Sequence, residues 1–261
     1  MSADRILRWR PLLWLPLLAL LAACAAPANR SGGGSPLRDA RQLVVVVTSG
    51  WDGSAGTLRA FERDPRGAWR AAGVETPVTV GRKGIAWGSG LHPPRSDGPV
   101  KREGDGRAPA GIFALGEAFG YAASAETAMP YVAMDEHDYC IDVAASPLYN
   151  RIVDAREVGA AAIEGTTEPM RRDLHLEGDP RYRLGLVIGH NTERRAGGGS
   201  CIFAHVWLAP GVATAGCTAM DEAAMRALLA WLQPAATPRF VLLPQPQYDA
   251  LQRDWDLPAL P

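Results

Sequence analysis

Short apolar runs, many alternating with polar residues and bounded by Gly, Pro, Asp or Asn, dominate the chain from residue 42 onward. Successive side chains on a strand face opposite ways. A run of period two therefore marks a half-buried strand, and a continuous apolar run of four to eight marks a fully buried one. By this rule Gln42 to Thr48, rich in Val, is a buried strand, and Thr57 to Glu62 is an alternating one. Further strands are predicted over Val74 to Val80, Ile85 to Trp87, Gly111 to Leu115, Tyr131 to Met134 and Tyr139 to Val143. Leu184 to Gly189 and Ser200 to Trp207 carry the strongest patterns and belong at the centre of a sheet. One helix breaks the series: Asp221 can cap its start, and Met225, Leu228, Leu229 and Leu232 recur at helical spacing before Pro234 stops it. Arg239 to Leu243 then returns as a last strand. The expected fold class is mainly β with α, a sandwich or barrel with a helix packed beside the sheet. Leu91 to Arg107, rich in Gly, Pro and charge, reads as a long mobile loop near the site.

The first residues have a different pattern. Arg5, Arg8 and Arg10 precede the apolar stretch Leu12 to Leu20, which ends in Leu21-Ala22-Ala23-Cys24. A basic start, a short hydrophobic run and small residues form an export signal. Pro16 and the shortness of the run argue against a membrane-spanning helix. Leu-Ala-Ala-Cys resembles the bacterial lipobox. That resemblance implies a signal peptide over residues 1–23, lipidation at Cys24 and a flexible tether over 24–40, which leaves 41–250 as a single domain. It implies a periplasmic protein held to a membrane by the anchor at Cys24, in the outer membrane of a Gram-negative bacterium. An ordinary cleavable signal with an incidental Cys is the alternative.

Charge and cysteine usage narrow the chemistry. A formal net charge of −1 with interspersed signs leaves no footprint for nucleic acid. Of four cysteines, Cys24 is assigned to lipid, so Cys140, Cys201 and Cys217 remain. In an oxidising compartment two of the three can pair. Cys140 and Cys201 are the candidate disulfide, against the alternative of two buried free thiols, and Cys217 is the candidate reactive thiol.

Cys217 follows Ala215-Gly216 in a small-residue turn, where backbone N–H groups can approach a carbonyl and serve an oxyanion. His205 lies on a strand among Cys201, Phe203 and Trp207 at period two, an apolar setting that favours its neutral form. A neutral imidazole beside a thiol can take its proton and generate a nucleophilic thiolate. The layout thus points to cysteine acyl transfer, with imidazole and sulfur meeting at the wall of an open cleft. A zinc site built from Cys140, Cys201, His205 and Cys217 is disfavoured by the lack of a Cys-x-x-Cys knuckle. Neither metal nor cofactor is expected.

Ser200 to Met220 resembles the catalytic signature of the bacterial L,D-transpeptidases: a His, a Gly-containing loop, Ser/Thr-His-Gly-Cys and an apolar-Arg-apolar triplet. Here these positions read His205, Gly211, Thr214-Ala215-Gly216-Cys217 and Thr218-Ala219-Met220. Lys101-x-x-Gly104-Asp105-Gly106-x-x-Pro109-x-Gly111-x-Phe113 is similar to an upstream segment of that family, as are Tyr149-Asn150 and Val187 to Asn191. The resemblance covers roughly residues 75 to 245. It implies an L,D-transpeptidase-like β fold, peptidoglycan stem peptides as partners, Cys217 as nucleophile and His205 as proton donor and acceptor. Two departures stand out: the family's His before Gly-Cys is Ala215, and its Arg two residues after the Cys is Ala219. His190, Arg107 and Thr214 are candidate substrate-binding substitutes. Alternatives are an L,D-peptidase or amidase that hydrolyses the same thioester, and a non-catalytic wall-binding lipoprotein.

Overall fold

The structure, a computed structural model, describes residues 35–261. The signal peptide, Cys24 and the tether up to residue 34 lie outside the described residues. Thirteen strands are present: β1 (Gln42–Thr48), β2 (Ala55–Arg63), β3 (Trp69–Thr79), β4 (Ile85–Trp87), β5 (Ala108–Gly120), β6 (Tyr131–Ala133), β7 (Asp138–Cys140), β8 (Ile152–Asp154), β9 (Glu168–Pro169), β10 (Leu184–Ile188), β11 (Phe203–Val206), β12 (Thr218–Met220) and β13 (Arg239–Pro244). The α-helices are α1 (Ala155–Val158), α2 (Arg172–His175), α3 (Glu222–Trp231) and α4 (Gln245–Trp255).

Eight strands close into a barrel in the order β10-β11-β12-β3-β2-β1-β13-β5, and β5 pairs back onto β10. Closure leaves the barrel strands no free edge to aggregate through. β1 is buried along its whole length, because one face lines the main core and the other is covered. The helix α4 packs on β1 and its neighbour β13 and supplies the cover, with Tyr248, Leu251 and Trp255 in the main core. The predicted helix is α3, and Met225, Leu228, Leu229 and Leu232 are its buried stripe. Asp221 caps it, accepting from Ala224 N at 2.8 Å and from Thr76 Oγ1 at 3.2 Å. Asp221→Ala should therefore lower unfolding free energy by about 1 kcal/mol in urea melts, the usual cost of an N-cap carboxylate.

Two boundaries and one loop differ from expectation. Residues 35–40, assigned to the tether, pack on the barrel: Leu37 and Ala40 are buried and Ser35 Oγ donates to Trp255 O at 2.7 Å. The fold also runs past residue 250, through α4 to the buried Leu257. The 91–107 loop is pinned rather than loose, by a bridge from Trp87 to Val100 and by an ion pair of 2.6 Å between Lys101 and Asp105.

Two cores flank the barrel wall that carries β10, β11 and β12. Ile202, Ala204 and Val206 point into the main core. Cys201 and Phe203, alternating with them, join Cys217, Phe119, Met134, Cys140, Met170 and Tyr182 in a second core on the opposite face. The segment 134–183 covers this second core and folds part of itself into a small sheet of order β8-β7-β9. Phe119, Tyr182 and Phe203 meet edge to face there with centroids 5.1 to 5.7 Å apart. Each buried ring contributes about 2 kcal/mol toward holding the cover down.

Candidate functional site

β11 and β12 are parallel, with Ala204 opposite Thr218, His205 opposite Ala219 and Val206 opposite Met220. Partners in register face the same side, as do residues two apart on one strand. Cys217, one residue before β12, thus shares the second-core face with His205. Strand spacing and rise put their Cα atoms about 8 Å apart. Sequence spacing therefore brought the two groups to one patch of one sheet face.

Their hydrogen bonds go elsewhere. Cys217 Sγ accepts from Phe203 N at 3.4 Å and donates to Cys201 O at 3.5 Å. His205 Nδ1 donates to Val206 O at 2.7 Å, which fixes the tautomer and leaves the lone pair on Nε2. Neither group stands in an open cleft as expected: Cys217 is 8% exposed and His205 3%. The small sheet and Tyr182, whose ring meets the His205 ring edge to face at 5.2 Å, lie over them.

Burial sets the protonation states. It pushes the Cys217 thiol up to about 12, and the Glu168 carboxylate adds to the rise. It pushes His205 down to about 4, against the Val206 carbonyl, which favours the cation. The covered centre therefore holds a neutral thiol and a neutral imidazole, and formation of the thiolate requires the cover to lift. His205 stays uncharged when folded but protonates below about 6.5 when unfolded. Its contribution is thus intact above pH 6.5 and lost as pH falls toward 4. Unfolding free energy should drop by about 3 kcal/mol over that window on account of this residue, and His205→Gln should flatten the fall in urea melts recorded at each pH.

The remaining predicted residues build the scaffold. Gly216 N–H donates to Thr214 Oγ1 at 3.1 Å, so it is not free to serve an oxyanion. A Cβ there would lie 3.1 Å from the Arg107 carbonyl oxygen, a tight contact that a small shift of that carbonyl would have to relieve. Thr214 is 7% exposed and its hydroxyl donates to Cys217 O at 2.7 Å, closing the turn from inside. Arg107 reaches away, donating to Trp51 O, Ile85 O and Asp52. His190 accepts from Ser89 N through Nδ1 and donates to Gly198 O through Nε2. Burial lowers it to about 4, and both its nitrogens are occupied. None of Gly216, Thr214, Arg107 and His190 replaces the missing family His or Arg in this arrangement. Thr214 and Gly216 close the turn that carries Cys217, whereas Arg107 and His190 tie other segments together.

Cys140 and Cys201 form a disulfide with Cα atoms 5.9 Å apart, tying β7 to the start of β11. The bridge takes two members of the zinc alternative and leaves Cys217 as the one free thiol among the described residues. No family model, curated protein or solved structure matches the chain. The site must be judged on its own geometry.

That geometry includes five residues that periodicity did not flag. Glu168 is held by Arg172 Nη1 at 2.5 Å and by the Tyr182 hydroxyl at 2.8 Å. Arg172 and Arg181 both pair with Asp179, at 2.8 and 2.5 Å. Burial raises the Glu168 carboxyl, and Arg172 opposes the rise. The only sequence signal was the dense mixture of charges between residues 168 and 183, which reads equally well as a solvated surface. In the fold it is a neutralised ionic clamp lying across Cys217 and His205, and its members influence both groups electrostatically.

Proposed function

We propose that this chain is a cysteine acyltransferase of the L,D-transpeptidase type, acting on peptidoglycan stem peptides from a lipid anchor at Cys24. One observation carries the reading: the one free thiol among the described residues and a neutral imidazole with an available Nε2 lone pair share a face of one barrel wall. The motif resemblance over residues 200–220 supports it. The Cys140–Cys201 bridge supports an oxidising compartment such as the periplasm. The barrel with a helix beside it is a scaffold of the kind the resemblance implies.

In the proposed reaction the segment over the second core moves aside and Cys217 Sγ attacks the carbonyl carbon of the scissile peptide bond. His205 Nε2 takes the thiol proton and returns it to the leaving amine as the C–N bond breaks. A thioester remains on Cys217. An acceptor amine then attacks it, loses its proton to His205 and regenerates the thiol on release. Nothing on this path requires a metal.

Incubation of the purified protein with a stem tetrapeptide, followed by intact-mass measurement and product analysis, tests the proposal. The expected result is an acyl adduct on Cys217 and cross-linked dimers. Trimmed monomers with the same adduct would move the assignment to a hydrolase. No adduct and no product, with protein shown to be folded, would end the enzymatic reading.

A further inference from the structure

The motif from Lys101 to Phe113 has no part in the proposed reaction, and its charged residues divide between two tasks. Lys101 pairs with Asp105 at 2.6 Å, and Asp105 also accepts from Arg102 N and Arg107 N, so this pair closes its own loop. Glu103 reaches out of the loop. Its Oε2 accepts from Ser200 Oγ at 2.6 Å and from the Tyr149 hydroxyl, and its own N–H donates to Gly197 O at 2.9 Å. The Tyr149 oxygen in turn accepts from Gly199 N at 3.1 Å. Tyr149 and Ser200 are buried, and Glu103 is half-buried. Among the described residues Glu103 makes no salt bridge. Two hydroxyls hold its carboxylate instead, in hydrogen bonds of the strong, charge-assisted kind.

These bonds converge on the peptide whose carbonyl receives the thiol hydrogen bond. Three consecutive residues are held in turn: the Gly199 N–H by Tyr149, the Ser200 hydroxyl by Glu103 and the Cys201 N–H by Asn150 Oδ1 at 2.9 Å. Cys201 O then accepts from Cys217 Sγ at 3.5 Å. Cys201 has a φ of 54° and Asn150 one of 59°, values that a non-glycine residue keeps only where its surroundings over-determine it. Glu103 and Tyr149–Asn150 supply that determination, together with the bridge to Cys140. A thiol carries a single proton. While that proton lies on Cys201 O it is not on His205 Nε2, so the proposed reaction begins only when this contact breaks.

We infer that Glu103 is a positioning residue of the Cys217 centre: through Ser200 and Tyr149 it fixes the Cys201 peptide, keeps the thiol proton on the Cys201 carbonyl and so holds the nucleophile at rest. Its meaning for catalysis rests on the acyl-transfer reading, whereas the S–H contact itself does not. Sulfur is a weak donor, so the hold is a brake of a few-fold in rate and not an all-or-none lock.

Raman spectroscopy of the full chain reads the S–H stretch, and subtracting the spectrum of Cys217→Ala isolates the band of this thiol. Hydrogen bonding to a carbonyl weakens the S–H bond and lowers that frequency. Glu103→Ala should move the band up toward that of an unbonded thiol. Glu103→Gln, whose amide oxygen can still accept from both hydroxyls, should leave it in place. Ser200→Ala is a smaller change that should move it part of the way, and it decides the matter if Glu103→Ala does not fold. Iodoacetamide labelling of the Cys217 peptide at neutral pH without urea should rise about threefold in Glu103→Ala. A band unmoved in both alanine variants, with only a loss of stability in urea melts, would overturn the inference. So would an equal shift in Glu103→Gln, which would assign the effect to the charge of the carboxylate. With a stem tetrapeptide, faster adduct formation in Glu103→Ala than in the parent supports the brake, and an equal or slower rate overturns it. A shifted band with no adduct in any variant keeps the positioning role and ends the acyltransferase reading, whereas adduct formation with an unmoved band does the reverse.

Discussion

Cys217→Ala should reduce adduct formation and product release by about 10⁴-fold or more, the scale seen when the nucleophile of a covalent mechanism is removed. The fold should tolerate the change. The side chain sits among Phe203, Tyr182 and Met170 in the second core and makes only two weak sulfur hydrogen bonds, so its truncation costs about 1 kcal/mol. His205→Gln should cost less, about 10²- to 10⁴-fold, because a proton acceptor aids attack without forming the bond. This ordering is diagnostic. If Cys217→Ala kept its turnover while remaining folded, the chemistry would not pass through that sulfur. If His205→Gln were silent, the base would be another group, and Glu168, a half-buried carboxylate near enough to push the thiol up, would be the first to examine.

How far the sequence revealed the fold depended on whether a segment's partners are periodic or distant. β1 and β4 were read to the residue, and α3 within one, because Val-rich burial and the Met225 to Leu232 stripe are local signals. β5 was seen only as Gly111 to Leu115, since Gly111, Gly116 and Gly120 read as strand ends. In the barrel the strand continues through them and changes partner, pairing with β13 at one end and β10 at the other. β12 was missed because Thr-Ala-Met has no alternation. All three of its residues are buried, in a strand set between β11 and β3. α4 was missed because it begins Gln-Pro-Gln, yet Tyr248, Leu251 and Trp255 already had helical spacing.

The site divides the same way. The sequence left the Cys140–Cys201 bridge open against two buried free thiols, because spacing alone does not show that the Cα atoms lie within reach, and the fold brings them to 5.9 Å with Cys217 free. The shared face of Cys217 and His205 followed from strand periodicity only because β11 and β12 are parallel and in register. The cover could not be read, because it depends on an ionic clamp whose members are scattered over the two-residue strand β9, the one-turn helix α2 and the loop that follows it up to Arg181. Arg107 and His190 show the converse error. A polar residue near a catalytic motif suggests substrate binding, but burial forces it to satisfy its own donors first.

Removing the disulfide should produce the largest change in stability and should also expose the thiol. The bridge closes a loop with a sequence separation of 61. Restricting the unfolded chain to that loop is worth about 4 kcal/mol in the chain-entropy treatment. Cys140→Ala with Cys201→Ala should show that loss in urea melts. It should also speed iodoacetamide labelling of Cys217 without denaturant, since the bridge restrains the Cys201 backbone, whose carbonyl accepts the thiol hydrogen bond, and that restraint is lost with the bridge. A thiol raised from its ordinary value of 9.0 to about 12 has a thousandth of the thiolate, and the greater reactivity of the more basic sulfur recovers about half of that on a logarithmic scale. Restoring ordinary solvation should therefore accelerate labelling about 30-fold, before the relief of crowding is counted. Global unfolding would also raise the rate, but that route steepens with urea, whereas local lifting of the small sheet responds only weakly. A urea-insensitive gain would show that the bridge clamps the cover over Cys217. A labelling rate equal to that of the bridged protein would place the clamp in the Glu168–Arg172–Asp179–Arg181 cluster and the three packed rings instead, because those are the other contacts that hold the segment down.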